Sequence, residues 1–307
     1  MSDWLQLTLR TDSAGLEQIE AGMLDSGALA VTYRDAQDQP LLEPAPGEMP
    51  LWRDLLITGL YPRGSDPQAI AARLCAQLDW ERLPADAFDA LPDRLWERAW
   101  LDDFKPMRFG ERLWVVPSAY QPPQPEAVNL RLDPGLAFGT GNHPTTALCL
   151  EWLDAADLGG ATLIDYGCGS GVLAIAALLL GAERVIATDI DPQALRATGS
   201  NAAANGVAER LNLCTPDDLP QHLRGAGGAD VLVANILAGP LLQLAPRIAE
   251  LSRPGGALLL CGLLAEQAAQ MSERYAHWYR VDKPVIRGDW ARLSAVRRGS
   301  SDAAAHG

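Results

Sequence analysis

Two apolar spacings divide the chain into strands and helices. Trp4-Leu5-Gln6-Leu7-Thr8-Leu9 alternates with a period of two, which predicts a half-buried strand. From Ser13 to Leu24, Leu16, Ile19, Met23 and Leu24 recur at helical spacing, and Leu29-Ala30-Val31-Thr32-Tyr33 is β-rich. A turn-rich stretch from Asp35 to Pro50 then leads to an apolar run at Leu51 to Tyr61, a second helical pattern at Pro67 to Leu78 and a short strand near Ala87 to Leu91. Residues 1–92 therefore read as a small βαββα sandwich with a terminal strand, and no pocket chemistry is visible in it.

Residues 93–125 read as a linker and the approach to a second domain: DRLWERAWLDDFKPMRF opens at helical spacing and stops at Pro106, and QPPQP at 121–125 is a stiff polyproline-like loop. Over 126–300 the pattern is regular. Apolar strands at Ala161 to Tyr166, Arg184 to Asp189, Leu211 to Cys214, Val231 to Ala234, Ala257 to Cys261, Trp278 to Asp282 and Ala291 to Val296 are separated mostly by helices. That alternation predicts an α/β fold, Rossmann-like, with a seven-stranded, mostly parallel sheet. The last two strands lack a helix between them, so one is expected to run antiparallel at the sheet end. Residues 301–307 are expected to be a disordered tail.

Composition narrows the function. The chain has 39 acidic and 25 basic residues, a net charge of -14, which repels a phosphate backbone, so no direct nucleic-acid binding is expected. Residues 1–92 hold 15 acids and 6 bases (net -9), and the rest 24 and 19 (net -5), so a basic partner is drawn mainly to the first third. The longest strongly apolar stretch, Val172 to Leu180, is too short to span a bilayer, and MSDWLQLTLR does not resemble a secretory signal, which points to the cytoplasm. Five scattered cysteines without a C-x-x-C pair read as reduced thiols, and four separated histidines give no metal-ligand spacing, so no metal is expected.

The candidate chemistry lies where predicted strands end. Asp165-Tyr166-Gly167-Cys168-Gly169-Ser170-Gly171 forms a strand-to-helix turn in which glycines let a ligand approach the backbone. A dinucleotide fingerprint from Gly167 or Gly169 would need glycine at 172 or 174, which hold Val172 and Ala174. The G-x-G-x-G spacing suits a nucleoside better than a capped pyrophosphate. Asp189 closes the next strand, where a carboxylate can accept both ribose hydroxyls; the alternative role of helix N-cap falls more naturally to Asp191, since Pro192 follows it. Asn235 ends the fourth strand on the same edge, either as a turn former or as a group orienting a substrate amine. The glycine-rich loop Leu132 to Thr146 could fold over a bound cofactor, with Phe138 as a lid and Thr146 hydrogen bonding to it.

The segments LDPGLAFGTGNHPTTALCLEWLD, LIDYGCGSGVLAIAALLLGA, ATDIDPQAL, VLVANILAGPL and RPGGALLLCGLL, with LWERAW and FKPMRFGERLWVVPS before them, resemble the PrmA family of S-adenosylmethionine-dependent methyltransferases of ribosomal protein eleven of the large subunit. The resemblance implies a class I methyltransferase domain behind a small N-terminal domain that recognises the ribosomal protein. It implies S-adenosyl-L-methionine as cofactor, and lysine side chains and the N-terminal α-amine as acceptors. It places Thr146, Gly167, Asp189 and Asn235 against the cofactor or the reacting centre. Two rivals remain at this stage, a nicotinamide-dependent dehydrogenase and an idle assembly factor. The missing third glycine and the expected absence of a plausible proton-donor histidine beside the crevice argue against the first; the intact turn, Asp189 and Asn235 argue against the second.

Overall fold

In a computed structural model the chain divides into two compact units, residues 1–99 and 100–307. The structure describes residues 4–37, 53–62, 64–84, 86–91, 105–133, 143–223 and 227–299.

The first unit runs β1 (Trp4–Thr11), α1 (Leu16–Asp25), β2 (Ala30–Asp35), β3 (Leu55–Tyr61), α2 (Pro67–Leu78) and β4 (Phe88–Leu91). Its strands pair antiparallel in the order β2-β3-β1-β4. That is a split βαβ sheet: the two helices cover one face. Alternation explains which side is covered. Leu7 and Leu9 of β1 and Leu55, Ile57 and Tyr61 of β3 pack on Leu16, Ile19 and Met23 of α1 and Ile70 and Leu74 of α2. The α2 start is set by Asp66, whose carboxylate accepts from the Gln68 amide at 2.9 Å ahead of Pro67.

The second unit begins with strands β5 (Met107–Phe109), β6 (Leu113–Val116) and β7 (Val128–Arg131), which form their own three-stranded sheet. Residues 107–116, which fall in the stretch read from sequence as linker and entry to the catalytic domain, belong to the body of this unit: Phe109, Leu113 and Val115 enter its core. Strands of three and four residues are too short to show a period. The turn between β5 and β6 is held from a distance, because buried Asp154 accepts the Glu111 amide at 2.6 Å.

Then follow α3 (Pro144–Ala155), β8 (Thr162–Tyr166), α4 (Val172–Leu179), β9 (Arg184–Thr188), α5 (Pro192–Ala204), β10 (Leu211–Cys214), α6 (Leu219–His222), β11 (Ala229–Asn235), α7 (Ala238–Leu251), β12 (Ser252–Leu264), α8 (Ala268–Ala276), β13 (Tyr279–Val281), β14 (Val285–Arg287) and β15 (Trp290–Arg297). The main sheet has the order β10-β9-β8-β11-β12-β15-β13, with β14 paired to β15. All seven expected strands are present. The antiparallel strand is not at the sheet end, however: β15 is inserted between β12 and β13 and runs antiparallel to both.

Central strands are buried on both faces, which is why β8 and β11 read as largely apolar runs without a period of two. One face carries α3 and α4, the other α7 and α8. Helix α4 is apolar all round, and every residue from Val172 to Leu178 is buried, so it is an interior helix between the sheet and the β5–β7 layer. After β8 the chain builds outward through β9 and β10, then returns to lay β11 on the other side of β8. This reversal opens a crevice at the carboxyl ends of β8 and β11, where open α/β sheets hold their ligands.

Candidate active site

A cavity of about 640 Å³ occupies that crevice, and Thr146, Gly167, Gly169, Asp189 and Asn235 all line it. Five of the six residues singled out from sequence are therefore brought together. The sixth, Phe138, lies outside the described residues.

The floor is the glycine turn after β8. Gly167 and Gly169 have φ of 81° and 54°, in the left-handed region, and a Cβ on Gly167 would stand 2.3 Å from Ile236 Cγ2. The turn is tied to the next strand, because the Gly167 and Cys168 amides both donate to the Thr188 carbonyl, at 2.8 and 3.1 Å. Just beyond, Asp189 accepts the Gly169 amide on Oδ2 and the Asp191 amide on Oδ1, each at 3.0 Å. Two amide bonds leave lone pairs on a carboxylate that has about four acceptor sites, so Asp189 retains the capacity to bind a diol. The capping role belongs to Asp191, which accepts the Gln193 amide at 2.8 Å at the start of α5.

Beneath the turn, Asp165 is buried. Its Oδ2 accepts the Ala174 amide at 3.0 Å, while Oδ1 has no partner among the described residues. Burial first, opposed by the Ala174 bond and reinforced by the nearby Asp189 charge, raises its pKa to about 7. Asp165 anchors the turn to α4 and is not among the groups lining the cavity.

The opposite wall comes from α3 and β11. Asn235 donates through Nδ2 to Oγ1 of buried Thr146 at 3.4 Å, and both residues line the cavity. Helix α3 starts at His143, the N-cap, whose Nδ1 is 2.7 Å from Thr145 Oγ1. The His143 ring stands edge-on to Trp290 at 4.5 Å, and both side chains line the cavity. A histidine therefore does line the crevice, where the sequence reading expected no plausible proton-donor histidine. His143 was missed because only the folded helix start turns it inward, and Trp290 because it arrives from a strand 147 residues later. Two exposed apolar side chains complete the rim, Ile190 directly after Asp189 and Leu237 two residues after Asn235, with fractional exposures of 87% and 57%. An apolar residue left in water beside the acid that closes a second strand is the signal that could have identified Ile190.

Residues 3–298 match the family described as "Ribosomal protein L11 methyltransferase (PrmA)". The chain belongs to this family. A protein of Pseudomonas paraeruginosa named ribosomal protein L11 methyltransferase is 52% identical over 296 residues, covering 96% of this chain and 99% of that one. One of the same name from Azotobacter vinelandii is 52% identical over 298 residues, with the same coverage. Among solved structures, a ribosomal protein L11 methylase from Lactobacillus delbrueckii subsp. bulgaricus superposes with a TM-score of 0.57 at 35% identity, covering 64% of this chain and all of that one. The second unit accordingly has the class I methyltransferase fold expected from its sequence.

Proposed function

We propose that the chain transfers methyl groups from S-adenosylmethionine to lysine side-chain and N-terminal amines of ribosomal protein L11. The observation that carries this reading is that the Asp189 carboxylate and the Asn235 amide, suited to a diol and to an amine, line one cavity at the switch point in a chain of this family. The cavity fits the cofactor. Gly167 and Gly169 present bare backbone to the cavity, Asp189 can take the ribose hydroxyls, and Ile190 offers an apolar face for a purine. When bound, S-adenosylmethionine supplies an electrophilic methyl group on a sulfonium. Thr146, Gly167, Gly169 and Asp189 would hold it.

The chain's own contribution is positioning. Aligning a neutral amine with an electrophile can contribute about 7 to 11 kcal/mol. Asn235, fixed by Thr146, supplies an acceptor for one amine hydrogen and so directs the nitrogen lone pair. The amine must first lose a proton, which at pH 7 costs about 4.6 kcal/mol for a lysine of pKa near 10.4 and about 1 kcal/mol for an α-amine near 7.8. An apolar cavity reduces that cost, because desolvation disfavours the ammonium form.

The first unit, net -9 over residues 1–92, serves to recognise the basic ribosomal protein, and the enzyme acts in the cytoplasm. No helix among the described residues is long and apolar enough to cross a membrane. Calorimetry with S-adenosylmethionine and with NAD, followed by methyl-labelling of the purified ribosomal protein, tests the reading. Binding of the first ligand alone and label on the ribosomal protein are expected; binding of NAD alone would make the chain a dehydrogenase instead.

A further inference from the structure

Strand β2 ends the first sheet, and among the described residues no strand pairs with its outer side. The direction of its backbone groups alternates along the strand. The Ala36 amide donates to the Asp54 carbonyl at 3.0 Å, so the even-numbered residues of β2 turn their N–H and C=O towards β3, and Val31 and Tyr33 turn theirs outward. Tyr33 stands opposite Ile57 and Val31 opposite Gly59, which places both side chains on the helix-covered face. Helix α1 lies over β3 and β2, and its far flank meets α2: a Cβ on Gly22 would touch Leu74, and Asp25 accepts the Gln77 side-chain amide at 3.0 Å. The helical period therefore sends Glu17, Glu20 and Leu24 to the flank beside β2. There the apolar cover stops short. Leu24, Leu29 and Tyr33 are 49%, 62% and 38% exposed, whereas Ile57 across the ladder is buried.

We infer that the outer edge of β2 is the docking site for the ribosomal protein, which adds an extended, basic segment to the first sheet as a further strand; the choice of partner rests on the methyltransferase reading above. Main-chain bonds to Val31 and Tyr33 set the register of the added strand. Every second side chain of that strand falls over Leu24, Leu29 and Tyr33, and its lysine or arginine groups reach Glu17 and Glu20, which have no ion-pair partner among the described residues. Edge strands are ordinarily blunted by lysine, proline or a bulge. Strand β2 has none of these: its sequence is AVTYRD, its pairing with β3 runs in unbroken register, and its one cation, Arg34, stands opposite Leu56 on the other face of the sheet. Charge selects the occupant, since a unit with a net charge of -9 over residues 1–92 attracts a basic segment and repels a second copy of itself.

The test compares Tyr33→Pro with Tyr33→Thr in the full chain. Both remove the ring, but only proline removes the outward N–H, and a proline whose missing donor faces away from the ladder is tolerated on an edge strand. Calorimetry with S-adenosylmethionine should give an affinity within about twofold of the parent for both variants, because every cavity residue lies in the second unit. The dissociation constant for the ribosomal protein is expected to rise about tenfold more with proline than with threonine, the weight of one lost main-chain bond. Equal values for the two variants, or no weakening by either, overturn strand addition. Hydrogen exchange on the unaltered chain gives a second reading that does not depend on how a variant folds. The Val31 and Tyr33 amides should exchange at least about tenfold more slowly when the ribosomal protein saturates the enzyme, as newly bonded amides do. Unchanged exchange overturns the proposal. So does protection that appears with rising enzyme concentration alone, which would make the edge a contact between two copies of this chain. If the ribosomal protein protects the edge but the parent transfers no methyl group to it, the methyltransferase reading fails and the docking assignment stands.

Discussion

Asp189 and Asp165, two carboxylates within reach of one glycine turn, behave oppositely. Asp189 lines the cavity and accepts two amides, so a variant loses part of the loop's restraint and, on the proposed reading, a contact to the ribose. Asp189→Ala is expected to weaken S-adenosylmethionine binding by about 1.5 to 3 kcal/mol, the range for hydrogen bonds to a charged group; unchanged affinity in calorimetry would remove Asp189 from the ribose site. Asp165 is shut away from water, and its pKa of about 7 lies above the 3.8 it has when unfolded. The folded state therefore binds the proton more tightly. Stability from this group is full below pH 4 and is lost as pH rises towards 7, by up to about 4 kcal/mol. Asp165→Asn, which can still accept the Ala174 amide, should flatten that decline. Urea unfolding at pH 5 and pH 8 decides it: a variant whose stability falls between the two as steeply as the parent's would show that Asp165 is not the group responsible.

Helix α7 shows how an element tolerates a residue that should break it. Pro246 has no N–H to give the Leu242 carbonyl. Arg274 of α8 supplies the missing donor through Nε at 3.1 Å, its guanidinium lying 5.2 Å over the Trp278 ring. Arg274→Ala should cost about 1 kcal/mol, and less in a Pro246→Ala background where the helix again has its own donor. Additive costs in the double-mutant cycle would refute the compensation. Such long-range repair also marks the limit of what sequence shows. The strands β8, β9, β11 and β12 were legible because burial on both faces writes itself as an apolar run, and the glycine turn because positive φ demands glycine. The insertion of β15 between β12 and β13 was not legible, since strand order depends on pairing between distant segments rather than on local spacing. The meeting of His143 with Trp290 was hidden for the same reason. The strands β5 and β6, at three and four residues, carry no period at all.

At the scale of the whole molecule, the two units have separate cores. The apolar cluster of the first draws on residues between Leu7 and Ala87, and those of the second on Phe109 and beyond. All the cavity residues belong to the second, the earliest being His143. Removal of residues 1–99 should therefore leave S-adenosylmethionine affinity within about twofold, as the core that shapes the cavity is untouched. Methylation of the ribosomal protein should fall by at least tenfold, because the proposed docking surface with its net charge of -9 over residues 1–92 is gone. For the full chain, the apparent affinity for the ribosomal protein should weaken as salt rises, since attraction between exposed charges is screened over about 8 Å at physiological ionic strength. The truncated protein should lose that salt dependence along with its rate. If it methylated the ribosomal protein at the full rate and with the same response to salt, recognition would reside in the catalytic unit, and the acidity of the first unit would need another explanation.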